Sequence, residues 1–178
     1  MRDAFVLVDV VQTFEHEDGQ RLLESFRSRH DAFVAALEGA RDGGLPVIYA
    51  NDNFGVWDGD APRLVRTALQ GRGGELVRAV APREGETFVV KPRYSAFDHT
   101  PLELILRELE VERLLLGGMS TEGCVAQSAI GARELGFKVT VLARACATVD
   151  LRVEHVAFDY LEQVAGVVVE RNQPVDDL

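Results

Sequence analysis

Arg113-Leu114-Leu115-Leu116-Gly117-Gly118-Met119-Ser120-Thr121-Glu122-Gly123-Cys124-Val125 passes from a short apolar run, through small and polar residues, into a stretch with apolar side chains at helical spacing that continues to Leu135. A run of that length reads as a strand and the stretch after it as a helix. The same alternation recurs on both sides. Ala4 to Val10, Pro46 to Ala50, Thr87 to Lys91, Lys138 to Ala143 and Gly166 to Val169 are the other β-rich runs; Gln20 to Arg41, Pro101 to Leu109 and Arg152 to Leu161 are the other amphipathic stretches. Strands alternating with crossover helices predict an α/β fold with six strands in a parallel sheet.

Local chemistry marks several boundaries. In Thr100-Pro101-Leu102-Glu103 the threonine suits a helix cap, the proline its first turn, and the glutamate the return arm of a capping box. Gly43-Gly44 and Gly136 stand where helices should stop. Asn51 to Gly74, rich in Gly, Asp and Pro, reads as a long excursion, and the tail from Asn172 is expected to fray. The 178 residues are expected to form one domain, 1-178.

Hydrophobic residues make up 47% of the chain and charged residues 27%, the balance of an ordinary globular protein. The formal net charge of -10 repels phosphate backbones and acidic headgroups, so the expected partner is a small-molecule substrate, with no nucleic acid and no membrane. No apolar run approaches the ~20 residues that span a bilayer, and the first residues lack a signal-peptide core, which predicts a cytoplasmic protein. Two cysteines are too few for a disulfide scaffold.

In an open parallel sheet, ligands bind beyond the carboxyl ends of the strands. Asp9 closes the first apolar run, Lys91 closes Thr-Phe-Val-Val, and Cys124 begins a helix. Taken singly, each has an ordinary structural reading: a loop-capping carboxylate, a lysine reaching water, a small buried thiol. A cysteine at a helix start also faces the positive end of the backbone dipole, which predicts a lowered thiol pKa. Gly118 and Gly123 allow a tight loop around it, with amides free to face an oxyanion. Cys146, in Arg-Ala-Cys-Ala-Thr, has no such frame and reads as packing.

Gly118-Met119-Ser120-Thr121-Glu122-Gly123-Cys124-Val125 resembles the nucleophile loop of the isochorismatase-like cysteine hydrolases. Asp9-Val10-Val11-Gln12-Thr13-Phe14 is similar to that family's first motif, and Lys91-Pro92-Arg93-Tyr94-Ser95-Ala96-Phe97 to its lysine motif. The resemblance implies a three-layer α/β/α Rossmann-like fold and a catalytic triad of Asp9, Lys91 and Cys124. It also implies an oxyanion hole formed by the Ser120 and Cys124 amides, and a cis peptide between Met119 and Ser120. In that arrangement Asp9 takes the thiol proton and returns it to the leaving amine, while the Lys91 ammonium favours both ionised partners.

The departures from the family pattern bear on substrate and cofactor. The nicotinamidase branch binds a metal through an aspartate followed by histidines after the second strand. Here no histidine occurs between His30 and His99, and Asp52 is followed by Asn53 and Phe54, so no metal or other cofactor is expected. His16, His30, His99 and His155 read as solvated or locally bonded. Arg93 to Phe97 also resembles the isochorismatases, which cleave a vinyl ether without a cysteine nucleophile; a complete cysteine loop favours an amide instead. The expected activity is therefore that of a hydrolase acting on carbon-nitrogen bonds other than peptide bonds, with a small amide, ureide or carbamoyl substrate and a thioester intermediate. Ether hydrolysis through Asp9 and Lys91, and a non-catalytic thiol or ligand-binding module, are the alternatives. Phe14, Phe54, Trp57, Tyr94, Phe97 and Met119 are the expected pocket walls, with Gln12 and Asn53 as polar contacts. The resemblance further implies a homo-oligomer, dimer or tetramer.

Overall fold

The structure is a computed structural model and describes residues 1–171; the tail from Asn172 lies outside the described residues. Among the described residues there are six strands: β1 (Asp3–Val8), β2 (Val47–Asp52), β3 (Thr87–Lys91), β4 (Arg113–Met119), β5 (Lys138–Ala147) and β6 (Val168–Glu170). They form one parallel sheet in the order β3-β2-β1-β4-β5-β6. The order reverses between β1 and β4, the two central strands. That switch point leaves a crevice at their carboxyl ends, because the connections from the two strands depart to opposite sides.

Period-two alternation assigns the side chains to two cores. Ala4, Val6 and Val8 of β1 join the core packed by α4 (Leu102–Glu108), α5 (Ala126–Glu134) and α6 (Leu151–Gln163). Phe5 and Leu7 point the other way, into the core formed with α1 (Gly19–Asp42), α2 (Ala61–Gln70) and α3 (Gly74–Val80). Both faces of the sheet are thus covered, as a parallel sheet of near-continuous apolar strands requires. Among the described residues no helix is long and apolar enough to cross a membrane.

The stretch read as an excursion from Asn51 to Gly74 differs in the structure. It contains α2, whose start has clear local causes: the Asp60 carboxylate accepts from the Arg63 amide at 2.9 Å, and Pro62 occupies the first turn. The composition of 53–60 masked those signals. At α4 the Thr100 hydroxyl accepts from the Leu102 amide (3.2 Å), but Pro101 holds the cap position with no side-chain cap, and Glu103 reaches forward to Arg107 (3.4 Å), so the expected capping box is not made. The segment carrying Cys124 is a wide π-helical turn, Thr121–Val125, and regular helix starts only at Ala126.

Gly118 explains how β1 and β4 approach closely at the switch point. It has φ 136°, and a Cβ there would lie 2.0 Å from the Val8 carbonyl oxygen. Gly118→Ala is therefore expected to destabilise the protein by about 3 kcal/mol, since backbone conformation and backbone contact both oppose the methyl group. Urea unfolding checks this; a loss below about 1 kcal/mol would mean the strands can part without cost.

Candidate active site

Asp9 is the first residue beyond β1 and has φ 53°, a region that costs a non-glycine residue about 1–3 kcal/mol unless its surroundings hold it. Here they do. Its amide donates to the Ala50 carbonyl at 3.0 Å, its Oδ1 accepts from the Asp52 amide at 2.7 Å, and its Oδ2 lies 2.8 Å from Lys91 Nζ. Lys91 ends β3 with 1% of its surface exposed. Its ammonium also donates to the Arg93 carbonyl (2.8 Å) and reaches Cys124 Sγ at 3.5 Å, so its three hydrogens serve three partners. Lys91 thus bridges the Asp9 carboxylate and the Cys124 thiol. Residues 9, 91 and 124, distant in sequence, meet through Lys91 at the carboxyl ends of the strands.

The turn that presents Cys124 is fixed from several sides. The peptide between Met119 and Ser120 is cis, and the Ser120 carbonyl accepts from the Gly123 and Val125 amides at 3.2 and 3.1 Å. The Ser128 hydroxyl donates to the Cys124 carbonyl (2.6 Å) and accepts from the Ala96 amide (2.9 Å), joining the lysine loop to the nucleophile turn. Glu122 accepts from the Thr148 hydroxyl at 2.7 Å. Thr121 donates to Glu154 at 2.7 Å, and Glu154 is gripped by both terminal nitrogens of Arg29, each at 2.7 Å.

Glu154 and Arg29 were not singled out in the sequence, because they lie on α6 and α1 and nothing in their local patterns links them to residue 124. The Glu154 side chain is 4% exposed, so Glu154→Ala strands a guanidinium that also holds the Cys146 carbonyl. We expect a loss of about 3 kcal/mol, the usual scale for removing one partner of a buried ion pair, measurable by urea unfolding. A change under 1 kcal/mol would show that Arg29 finds water instead.

A cavity of about 1000 Å³ opens here, with Asp9, Lys91 and Cys124 in its lining. Gln12, Phe54 and Tyr94 line it as well. The other expected contacts stand elsewhere. Phe14 is wholly buried and stacks on Phe26, Phe97 stacks on Phe137, and Met119 is buried in the core on the α1 side. Asn53 is buried, its side-chain oxygen accepting from the Gly55 amide, and Trp57 is 79% exposed and outside the lining. These five are corrections to the expected pocket wall: three fill a core, one closes a turn, and one faces outward. Thr13, Glu15, His16, Asp52, Thr67, Pro92, Arg93, Asp98 and Gln127 complete the lining. Several belong to the very motifs quoted from the sequence, where attention to aromatic residues passed over them.

Burial sets the electrostatics. It raises the Asp9 pKa above the ordinary 3.8, and the pull of Lys91 and of the bonds from Cys124 and Asp52 does not cancel it. Burial opposes the Lys91 ammonium, yet Asp9 and Cys124 together hold its pKa above 10.5. Cys124 is pushed up to about 12, first by burial and then by the Asp9 carboxylate, which outweigh Lys91. This reverses the lowered thiol pKa expected from the helix start. That expectation weighed the dipole and the lysine but not desolvation or the carboxylate.

The donor set does not suit the metal of the nicotinamidase branch. Asp52 lies in the lining, but Asn53 is engaged with Gly55 and Phe54 offers no ligand atom. Among the described residues no three His, Cys, Asp or Glu side chains gather at ligand distance.

The fold is a six-stranded parallel sheet covered by helices on both faces, an α/β chain whose cavity lies at the strand ends. The isochorismatase domain model matches residues 3–173, and the chain belongs to the isochorismatase family. It is 28% identical to the isochorismatase family protein YaaI of Bacillus subtilis, over 78% of this chain and 76% of that protein. It is 29% identical to maleamate amidohydrolase of Pseudomonas putida, over 82% and 71% of the two. The nicotinamidase PncA structure from Bacillus subtilis superposes with TM-score 0.76 at 27% identity, covering 96% of this chain and 100% of that one. The relatives named for an activity are amidohydrolases acting on carbon-nitrogen bonds.

Proposed function

We propose that this chain hydrolyses a small amide, ureide or carbamoyl compound through a thioester on Cys124. The observation that carries the reading is that Lys91 contacts both Asp9 and Cys124, all three lining one cavity. Similarity to maleamate amidohydrolase and to a nicotinamidase supports the bond type.

The charge arrangement gives each group a task. A thiol pushed up to about 12 is a poor nucleophile by itself, but it shares Lys91 with a carboxylate whose pKa burial has raised and which can take its proton. As the sulfur attacks the substrate carbonyl carbon, its proton passes to Asp9. Lys91 keeps its charge, and as the carboxylate is neutralised the negative charge passes through the sulfur to the carbonyl oxygen, so the net charge of triad and substrate together does not change. The Ser120 and Cys124 amides receive the carbonyl oxygen as it becomes an oxyanion. Asp9 then returns the proton to the departing nitrogen, the carbon-nitrogen bond breaks, and a thioester remains. Water loses a proton to Asp9 as it adds to the thioester; collapse expels the sulfur, which recovers that proton, and releases the acid.

The pH profile tests this assignment. Turnover needs Asp9 ionised, so kcat/KM is expected to fall on acidification with a midpoint above 3.8, the value an ordinary aspartate would give. The basic side should hold beyond 10.5, because Lys91 keeps its proton longer than a free lysine. An acid midpoint at or below 3.8 would remove Asp9 from the base role.

A further inference from the structure

The cavity lining carries four carboxylates, Asp9, Glu15, Asp52 and Asp98, against two permanent cations, Lys91 and Arg93. Three of the four are matched: Asp9 by Lys91 at 2.8 Å, Glu15 by Arg72 at 3.4 Å, and Asp98 by Arg93 at 3.6 Å. Asp52 forms no ion pair among the described residues. It pairs in register with Lys91 across β2 and β3, yet the three hydrogens of that ammonium go to Asp9, the Arg93 carbonyl and Cys124. One Asp52 oxygen accepts from the Phe54 amide at 2.7 Å, and the Asp52 amide itself holds the catalytic carboxylate. An unmatched carboxylate therefore sits one strand from the reacting groups, in the wall of the cavity the substrate must enter.

Two aromatic side chains, Phe54 and Tyr94, line the same cavity. An aromatic face attracts a cation through its ring quadrupole and offers nothing comparable to an anion. We infer that Asp52, with Phe54 and Tyr94, selects an amide that bears a positively charged nitrogen group at the end remote from the scissile bond. The inference rests on Cys124 acting in this cavity as proposed above. It sets this chain apart from its relative named for maleamate, an anion, because a substrate carboxylate placed in the same cavity would face Asp52.

Aldehydes test the selection without requiring turnover. Cys124 sulfur adds to the aldehyde carbon, the carbonyl electron pair moves to oxygen, and that oxygen takes a proton, giving a thiohemiacetal. Calorimetric Kd values for 4-trimethylammoniobutanal, butanal and succinic semialdehyde compare cationic, neutral and anionic ligands of similar reach. The expected order is cation tightest and anion weakest, with about tenfold between neighbours for one partly screened charge. Asp52→Asn keeps an oxygen for the Phe54 amide, so the fold should persist, and the spread should shrink to about twofold. Equal affinities, tighter binding of the anion, or a cation preference that survives Asp52→Asn would overturn the inference. Failure of the amidohydrolase reading would look different. No amide of any charge would then be turned over, while the aldehyde ranking would still decide the role of Asp52.

Discussion

Cys124→Ala is expected to lower amide turnover by at least about 10⁴-fold while leaving substrate affinity within a few fold. The thiol lies against Lys91, which also holds Asp9, whereas the aromatic walls and Asp52 do not depend on it. Asp9→Asn should also remove most turnover, because an amide side chain cannot take the thiol proton. The double variant should be no slower than the worse single one, since losing one member already disables the unit. Steady-state kinetics on purified variants checks both statements. A Cys124→Ala enzyme within tenfold of the parent would transfer the chemistry to Asp9 acting on water.

Lys91→Met is expected to damage rate and stability together. It leaves the Asp9 carboxylate at 5% exposure without its counter-ion, a change that costs about 3–5 kcal/mol when a buried pair is broken. The sign of the pH dependence follows from the direction of the Asp9 shift. Burial already raises the folded-state pKa of Asp9 above 3.8, and removing the ammonium raises it further. A group with a raised folded pKa contributes stability that is complete below its unfolded pKa and is lost as pH rises through the folded one. The deficit of Lys91→Met relative to the parent should therefore shrink as pH is lowered below Asp9's folded pKa, where the carboxyl is neutral. Urea unfolding at several pH values measures it, and a deficit independent of pH would mean that Asp9 is not charged beside Lys91.

The parts of this protein legible in its sequence are those written in local patterns. Thr87 to Lys91 reads as a strand and is one, because a β-branched and aromatic run ended by charge has no competing helical period. The meeting of Asp9, Lys91 and Cys124 was legible because three motifs each put a chemical group at a strand end or helix start, and the parallel sheet gathers those ends. Asn51 to Gly74 misled because Gly55 and Gly59, with their positive φ values, lie just ahead of the short helix α2. Phe14 shows a different limit. A motif places it near Asp9, but it too has positive φ, and its ring turns into the core against Phe26 rather than toward the cavity. The thiol pKa was misread because a helix terminus is visible in sequence while burial and a facing carboxylate are products of the fold. The Arg29–Glu154–Thr121 chain was invisible for the same reason: its members meet only after α1, α6 and the nucleophile turn have packed.

The thioester is tested most directly by partitioning with hydroxylamine. Amides that share one acyl group but differ in their leaving amine are hydrolysed in its presence, and hydroxamate and free acid are quantified. If all pass through one acyl-Cys124, the ratio of hydroxamate to acid is identical for every leaving amine at a given hydroxylamine concentration, and Cys124→Ala gives neither product. A ratio that changes with the leaving amine would show that water attacks the bound amide itself, and the covalent account would be contradicted.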